Sequence, residues 1–163
     1  MDQEKLQSPL EHFERTCREA GLKLTFQRQE IYRELMDSCD HPSAETLYRR
    51  LAPKIPMLAL DTVYRSLAVF AKHGLVQKLE TTESQARFDA NAERHHHAIC
   101  SQCNEITDFH CPSVDDVQLP EVLESWGRIE RRGLVVYGIC RKCEKKTEMM
   151  CKKKIHVRRG KRW

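Results

Sequence analysis

Two pairs of cysteines and one run of histidines have the spacing to do chemistry in this 163-residue chain. Cys100-x-x-Cys103 and Cys140-x-x-Cys143 are two-residue knuckles separated by 36 residues. Four thiolates at that bite match a tetrahedral zinc site, which would staple a small domain and perform no reaction. The rival chemistry is a thiol switch or a CxxC thiol oxidoreductase. The second pair and the absence of a thioredoxin-like strand–helix–strand pattern weigh against it. Cys17, Cys39, Cys111 and Cys151 lack any pairing pattern and read as core or surface residues.

The histidines stand just before the first knuckle, in HHHAICSQC. Strand side chains alternate between faces, so His95 and His97 share one face and His96 points the other way. Pairing with the strand EITDFH would add Asp108, RFDA offers Asp89, and His41 lies just before the third helix. Three imidazoles with two carboxylates form a nitrogen and oxygen donor set, suited to Fe(II), Mn(II) or zinc. A surface histidine cluster among solvated acids also fits this spacing, and the residues alone leave both readings open.

The elements that must position these groups fall into two sets. Ser8-Pro9-Leu10-Glu11 is a capping-box start for a helix over LEHFERTCREA that stops at Gly21. A second helix begins near Thr25, with Ile31, Leu35 and Met36 on one face. Ser43 caps a third, AETLYRRLA, and a fourth, LDTVYRSLAVFAKH, ends at Gly74. In that fourth helix Leu60, Val63, Leu67 and Phe70 follow core spacing, leaving Thr62, Tyr64, Arg65 and Ser66 outward. LVQKLETTESQARFDA then reads as a β-hairpin around Thr-Thr-Glu-Ser. Helices followed by a hairpin make a winged helix-turn-helix. ANAER forms a polar hinge into strands at HHHAIC, EITDFH and GLVVYGIC, with one helix over VDDVQLPEVLESWG between them.

The expected class is therefore α+β. A winged-helix DNA-binding domain spans 1–90, a small α/β dimerisation and metal-binding domain 91–143, and a basic, disordered tail 144–163. The tail holds nine Lys/Arg against two acids, so a net charge of +4 divides into +7 there and −3 elsewhere. A basic overall balance thus says nothing about the folded part, and any nucleic-acid surface there must be a local patch. Mean hydropathy is −0.65, no run approaches a membrane span, and MDQEKLQSPLEHF lacks a signal-peptide core. A cytoplasmic location follows as the expectation.

Over roughly residues 10–143 the chain resembles the ferric uptake regulator superfamily of metal-dependent bacterial repressors. The segments that carry it are LTFQRQEIY, HPSAETLYRRL, DTVYRSLAVFAKHGLV, RFDANAERHHHAICSQCNEITDF and VYGICRKC. The resemblance implies a homodimer that binds a double-stranded DNA operator and catalyses no turnover. It implies structural Zn(2+) on Cys100, Cys103, Cys140 and Cys143, and regulatory Fe(2+) or Mn(2+) on His41, Asp89, His95, His97 and Asp108. Asp at 108, where iron sensors usually carry Glu, and Asp at 89 resemble the peroxide-responsive branch. There, Fe(II) and hydrogen peroxide oxidise histidine ligands, corresponding to His41 and His95 here. A plain iron or manganese sensor using the same ligands is the alternative within the family.

On that reading Arg65 contacts guanine or phosphate, Tyr64 a thymine methyl, and Thr62 and Arg28 complete the expected DNA contacts. Arg49 and Arg50 are weaker phosphate candidates. The sequence also departs from the family pattern. Lys23 stands where many members have Arg, and Phe26 where many have Pro. Ala59 occupies the cap of the recognition helix, which weakens that cap. Arg131-Arg132 replace a histidine that helps form a third metal site in many members.

Overall fold

Ser8 closes the expected capping box: its side chain accepts from the Glu11 N–H at 3.2 Å, and the Glu11 carboxylate accepts from the Ser8 N–H at 2.9 Å. The helix it starts, α1 (Pro9–Glu19), buries Phe13 and Cys17. Thr25 and Ser43 cap α2 (Phe26–Met36) and α3 (Ala44–Leu51) in the same way, through the N–H groups of Arg28 and Thr46. The fourth helix, α4 (Leu60–Lys72), starts at Ala59 with no side-chain cap bond.

The computed structural model describes residues 8–81, 85–91, 93–129 and 132–146, and the chain divides into two units, Met1–Arg94 and His95–Trp163. Thr82, Glu83 and Ser84 of the hairpin turn, Ala92 of the hinge, Arg131, and the basic tail beyond 146 lie outside the described residues. No helix among the described residues is long and apolar enough to cross a membrane.

The first unit packs α1–α4 around Phe13, Ile31, Leu35, Leu47, Leu51, Val63, Leu67 and Phe70. Phe13 stacks on Tyr32 at 4.3 Å between ring centroids, and both meet Phe70 edge-on. Burial among these rings pushes the Tyr32 phenol up to about 12. After Gly74, in the left-handed region at φ +70°, the hairpin strands β1 (Gln77–Leu79) and β2 (Arg87–Asp89) pair antiparallel with Gln77 opposite Asp89. Helices and hairpin form the expected winged helix-turn-helix. Its core spacing in α4 holds for Val63, Leu67 and Phe70, but Leu60 is only half-buried. Ser66, expected outward, is 2% exposed; its hydroxyl bonds the Thr62 carbonyl at 2.7 Å, which satisfies it inside the helix.

The second unit is a three-stranded sheet in the order β4-β3-β5. The central strand β3 (His96–Cys100) pairs antiparallel with β4 (Ile106–Phe109) and parallel with β5 (Val135–Gly138). A parallel pair needs a crossover connection, and residues 110–134 supply it. The single helix expected there is instead two short pieces, α5 (Pro112–Asp115) and α6 (Val122–Trp126). Pro120 explains the break, because it has no N–H and disfavours helical geometry in the residue before it.

Candidate metal centres

The sheet brings the cysteine knuckles together. Cys100 ends β3 opposite Gly138 of β5, so both knuckles leave the same end of adjacent parallel strands. The first knuckle turns at Asn104, whose φ of +55° suits an asparagine and whose N–H bonds the Cys100 carbonyl at 2.9 Å. The second runs into a helical stretch over residues 141–146. All four sulfurs lie within 4.8 Å of one another, with Cys103 and Cys140 3.7 Å apart. Zinc–sulfur bonds of about 2.3 Å in a tetrahedron put sulfurs about 3.8 Å apart, so the donor set fits zinc.

The thiols are already unequal. Backbone N–H groups of Cys140 and Cys103 draw the Cys100 thiol down to about 6. Cys143 is pushed up to about 12, first by its hydrogen bond to Cys103 and then by burial. Four sulfurs this close cannot all be charged without a cation among them. Lys142 and Glu105 pair across the two knuckles at 2.5 Å.

The histidine run obeys strand alternation. The Nε2 atoms of His95 and His97 face each other at 3.0 Å, and both rings are almost fully buried. Pairing of β3 with β4 sets Asp108 opposite His97, with its Oδ1 3.6 Å from His97 Nε2 and 4.0 Å from His95 Nε2. Adjacent ligands at bonds of about 2.1 Å and right angles would be about 3 Å apart, which is the separation the two imidazoles have. The donor set therefore fits an ion that prefers nitrogen and oxygen.

His96 points away. Its Nδ1 accepts from the Leu134 N–H at 3.2 Å, its Nε2 lies 3.5 Å from Asp115 Oδ1, and its ring tilts against Phe109.

In the first unit, His41 and Asp89 are 4% and 6% exposed, and their ligand atoms lie within 4.8 Å of each other. A bridge between Ser43 and Arg87 and a bond from Phe88 N–H to the Pro42 carbonyl lay the His41–Ser43 segment beside β2. Arg87 adds bonds to the carbonyls of His41 and Asp40. No local sequence motif marks this arrangement, since the Arg87 contacts run to backbone atoms more than forty residues away.

The expected DNA contacts are spread over two helices. Tyr64 and Arg65 are exposed on α4 and Thr62 is half-buried. Each of the first two has an internal partner: Tyr64 donates to the Glu45 carboxylate, and Arg65 pairs with Asp61 at 2.6 Å. Arg28, at the start of α2, donates to the Lys23 carbonyl at 2.7 Å. Arg50, a weaker phosphate candidate, is engaged with Asp40 and Ser38.

A winged helix-turn-helix and a small sheet unit, each carrying metal-type donors, define a winged-helix protein equipped to hold metal. The ferric uptake regulator family profile matches residues 19–137, and the chain belongs to that family. It is 38% identical over 142 residues to the peroxide-responsive repressor PerR of Staphylococcus epidermidis, covering 86% of this chain and 94% of that one. Its fold is similar to that of the Helicobacter pylori ferric uptake regulator Fur, described as having three functional metal-binding sites. The TM-score is 0.69 at 29% identity, over 86% of this chain and 95% of the other. PerR from Streptococcus pyogenes, studied for peroxide sensing and gene regulation, matches with a TM-score of 0.52 at 28% identity, over 88% and 98% of the two chains.

Proposed function

We propose that the protein is a metal-dependent transcriptional repressor that senses hydrogen peroxide. Zinc on Cys100, Cys103, Cys140 and Cys143 holds the second domain together, and Fe(II) or Mn(II) is held by His41, Asp89, His95, His97 and Asp108. The first domain spans 1–90 and reads a double-stranded operator through Thr62, Tyr64, Arg65 and Arg28. The second, 91–143, dimerises in the cytoplasm. The observation that carries the reading is the buried His95–His97 pair facing Asp108, an oxygen and nitrogen donor set distinct from the thiolates.

The residues explain how such a site would act. Ligands drawn from both domains would hold them at one angle when metal is bound. In a homodimer that angle sets the spacing of two recognition helices against major grooves about 34–36 Å apart. The outer strand β5 suits a dimer contact: Val135, Val136, Tyr137 and Ile139 around it are 39–57% exposed. Metal charge also offsets Asp89 and Asp108 near a surface that must approach phosphates.

Fe(II), when held by these ligands, would supply the one-electron chemistry that opens the peroxide O–O bond. In the net change, one oxygen joins the carbon between the two ring nitrogens of His41 or His95, and that carbon's hydrogen moves to nitrogen. The other oxygen leaves as water, the ring losing the two electrons that peroxide gains. An imidazolone has N–H on both nitrogens and no nitrogen lone pair for a metal, so the imidazole ligand would be lost and DNA released. The event consumes the protein, with no turnover.

Intact-mass analysis after peroxide tests this, comparing Fe(II)- and Mn(II)-loaded protein. About one added oxygen on His41 or His95 is expected with iron alone. Unmodified histidines in the iron form would leave an iron- or manganese-responsive repressor.

A further inference from the structure

His41 is an unusual place for a ligand: it is a non-glycine residue at φ +48° and it precedes a proline. The left-handed region disfavours any side chain with a Cβ, and a residue before proline is further restricted. Something outside the segment must hold it there. Arg87 lies on β2, two residues before Asp89. Its Nε donates to the His41 carbonyl and its Nη2 to the Asp40 carbonyl at 2.8 Å. A planar guanidinium presents two donors in a fixed fork, so it can fix two successive carbonyls in a way that a point-charge ammonium cannot.

The Asp40 end is gripped a second time. Arg50 of α3 donates to both Asp40 carboxylate oxygens, at 3.2 and 2.6 Å, and to the Ser38 hydroxyl at 2.9 Å. Ser38 in turn bonds the Glu34 carbonyl of α2 at 2.6 Å. The segment 38–41 is thus tied at one end to the helices and at the other to the strand that carries Asp89.

We propose that Arg87 is a positioning residue for His41, its guanidinium clasping the Asp40 and His41 carbonyls so that the imidazole is preset for the regulatory metal. Arg50 is the outer half of the same clasp. The inference rests on the reading of His41 as a regulatory ligand. It adds that this ligand's geometry, and hence its exposure to oxidation, is set by an arginine that touches no metal.

The test uses full-length, zinc-loaded wild type with Arg87→Met, Arg87→Lys and Arg50→Met. Three readouts are taken: amide hydrogen exchange over residues 38–43 with no regulatory metal, Mn(II) affinity by electron paramagnetic resonance, and the ratio of His41 to His95 oxidation after Fe(II) and peroxide. Arg87→Met should speed exchange within 38–43 selectively, weaken Mn(II) by about tenfold or more, and lower the His41:His95 ratio. Arg87→Lys should restore part of each effect, and Arg50→Met should show a smaller loss in the same direction.

Wild-type Mn(II) affinity and an unchanged ratio in Arg87→Met would overturn the proposal. So would exchange rising evenly across the winged unit, which marks a merely structural arginine. If Arg87→Met does not fold, Arg87→Lys and Arg50→Met decide alone, and wild-type values in both overturn it. Wild type oxidised at neither histidine would remove the peroxide reading, while exchange and Mn(II) affinity would still judge the clasp.

Discussion

His96 and His97 are adjacent in the chain and have opposite tasks. The His97 Nε2 faces His95 and Asp108, whereas the His96 Nδ1 accepts a backbone N–H from Leu134 in a site 1% exposed. That acceptance leaves the His96 proton on Nε2, toward Asp115. Removing the ring takes the acceptor from the half-buried Leu134 N–H, a loss of about 0.5–1.5 kcal/mol before any cavity is counted. His96→Ala should therefore lower the melting temperature yet keep Mn(II) affinity close to wild type. His97→Ala should weaken Mn(II) by tenfold or more, about 1.4 kcal/mol at the least. Equal Mn(II) losses in a titration of the two variants would mean the faces are misassigned. Alternation along the strand made the face of His96 legible. Its role was not, because the partner N–H is 38 residues away and only the β3–β5 pairing brings it near.

Among the elements, the four N-terminal helices were legible because their signals are local. Ser8, Thr25 and Ser43 each cap through an N–H three residues on, and Gly21 and Gly74 take positive φ where helices stop. What failed was what tertiary context decides. Ser66 is buried because a hydroxyl can satisfy itself against its own helix, and the crossover helix breaks ahead of Pro120. The missing cap of α4 was also visible in the sequence, at Ala59. Its extended backbone, φ −103° and ψ 146°, is already that of a capping residue, but the Thr62 N–H reaches only the Ala59 carbonyl, at 3.0 Å, and no side chain accepts from the first turn. Ala59→Ser should add a side-chain acceptor for the Asp61 or Thr62 N–H and stabilise the winged unit by about 1 kcal/mol. For a unit of this size that corresponds to a melting temperature about 4–8 °C higher. A thermal melt that does not move would show the first turn of α4 is satisfied another way.

For the whole molecule, the proposed clamp has a consequence that neither unit has alone. If metal bound by donors of both domains favours the operator-competent arrangement, the two ligands share one coupling free energy, and the coupling must be reciprocal. Typical couplings of about 1–3 kcal/mol correspond to about 5–150-fold in either affinity. Let Mn(II) tighten binding to a duplex selected for metal-dependent recognition by some factor; the duplex must then tighten Mn(II) by the same factor. Mn(II) serves because it binds the nitrogen and oxygen donors without being consumed by peroxide. His97→Ala and Asp108→Ala should shrink both factors together, whereas cutting the zinc knuckles should abolish the fold of the sheet unit and both affinities with it. Charge offset alone would behave differently. It acts through phosphates, so its share falls with added salt, while a geometric clamp keeps its factor for a specific duplex and gives none for a random one. Measuring both affinities at two salt concentrations on both duplexes separates these contributions. A factor that is equal on specific and random DNA, and vanishes in salt, would leave electrostatics as the whole effect and remove the clamp.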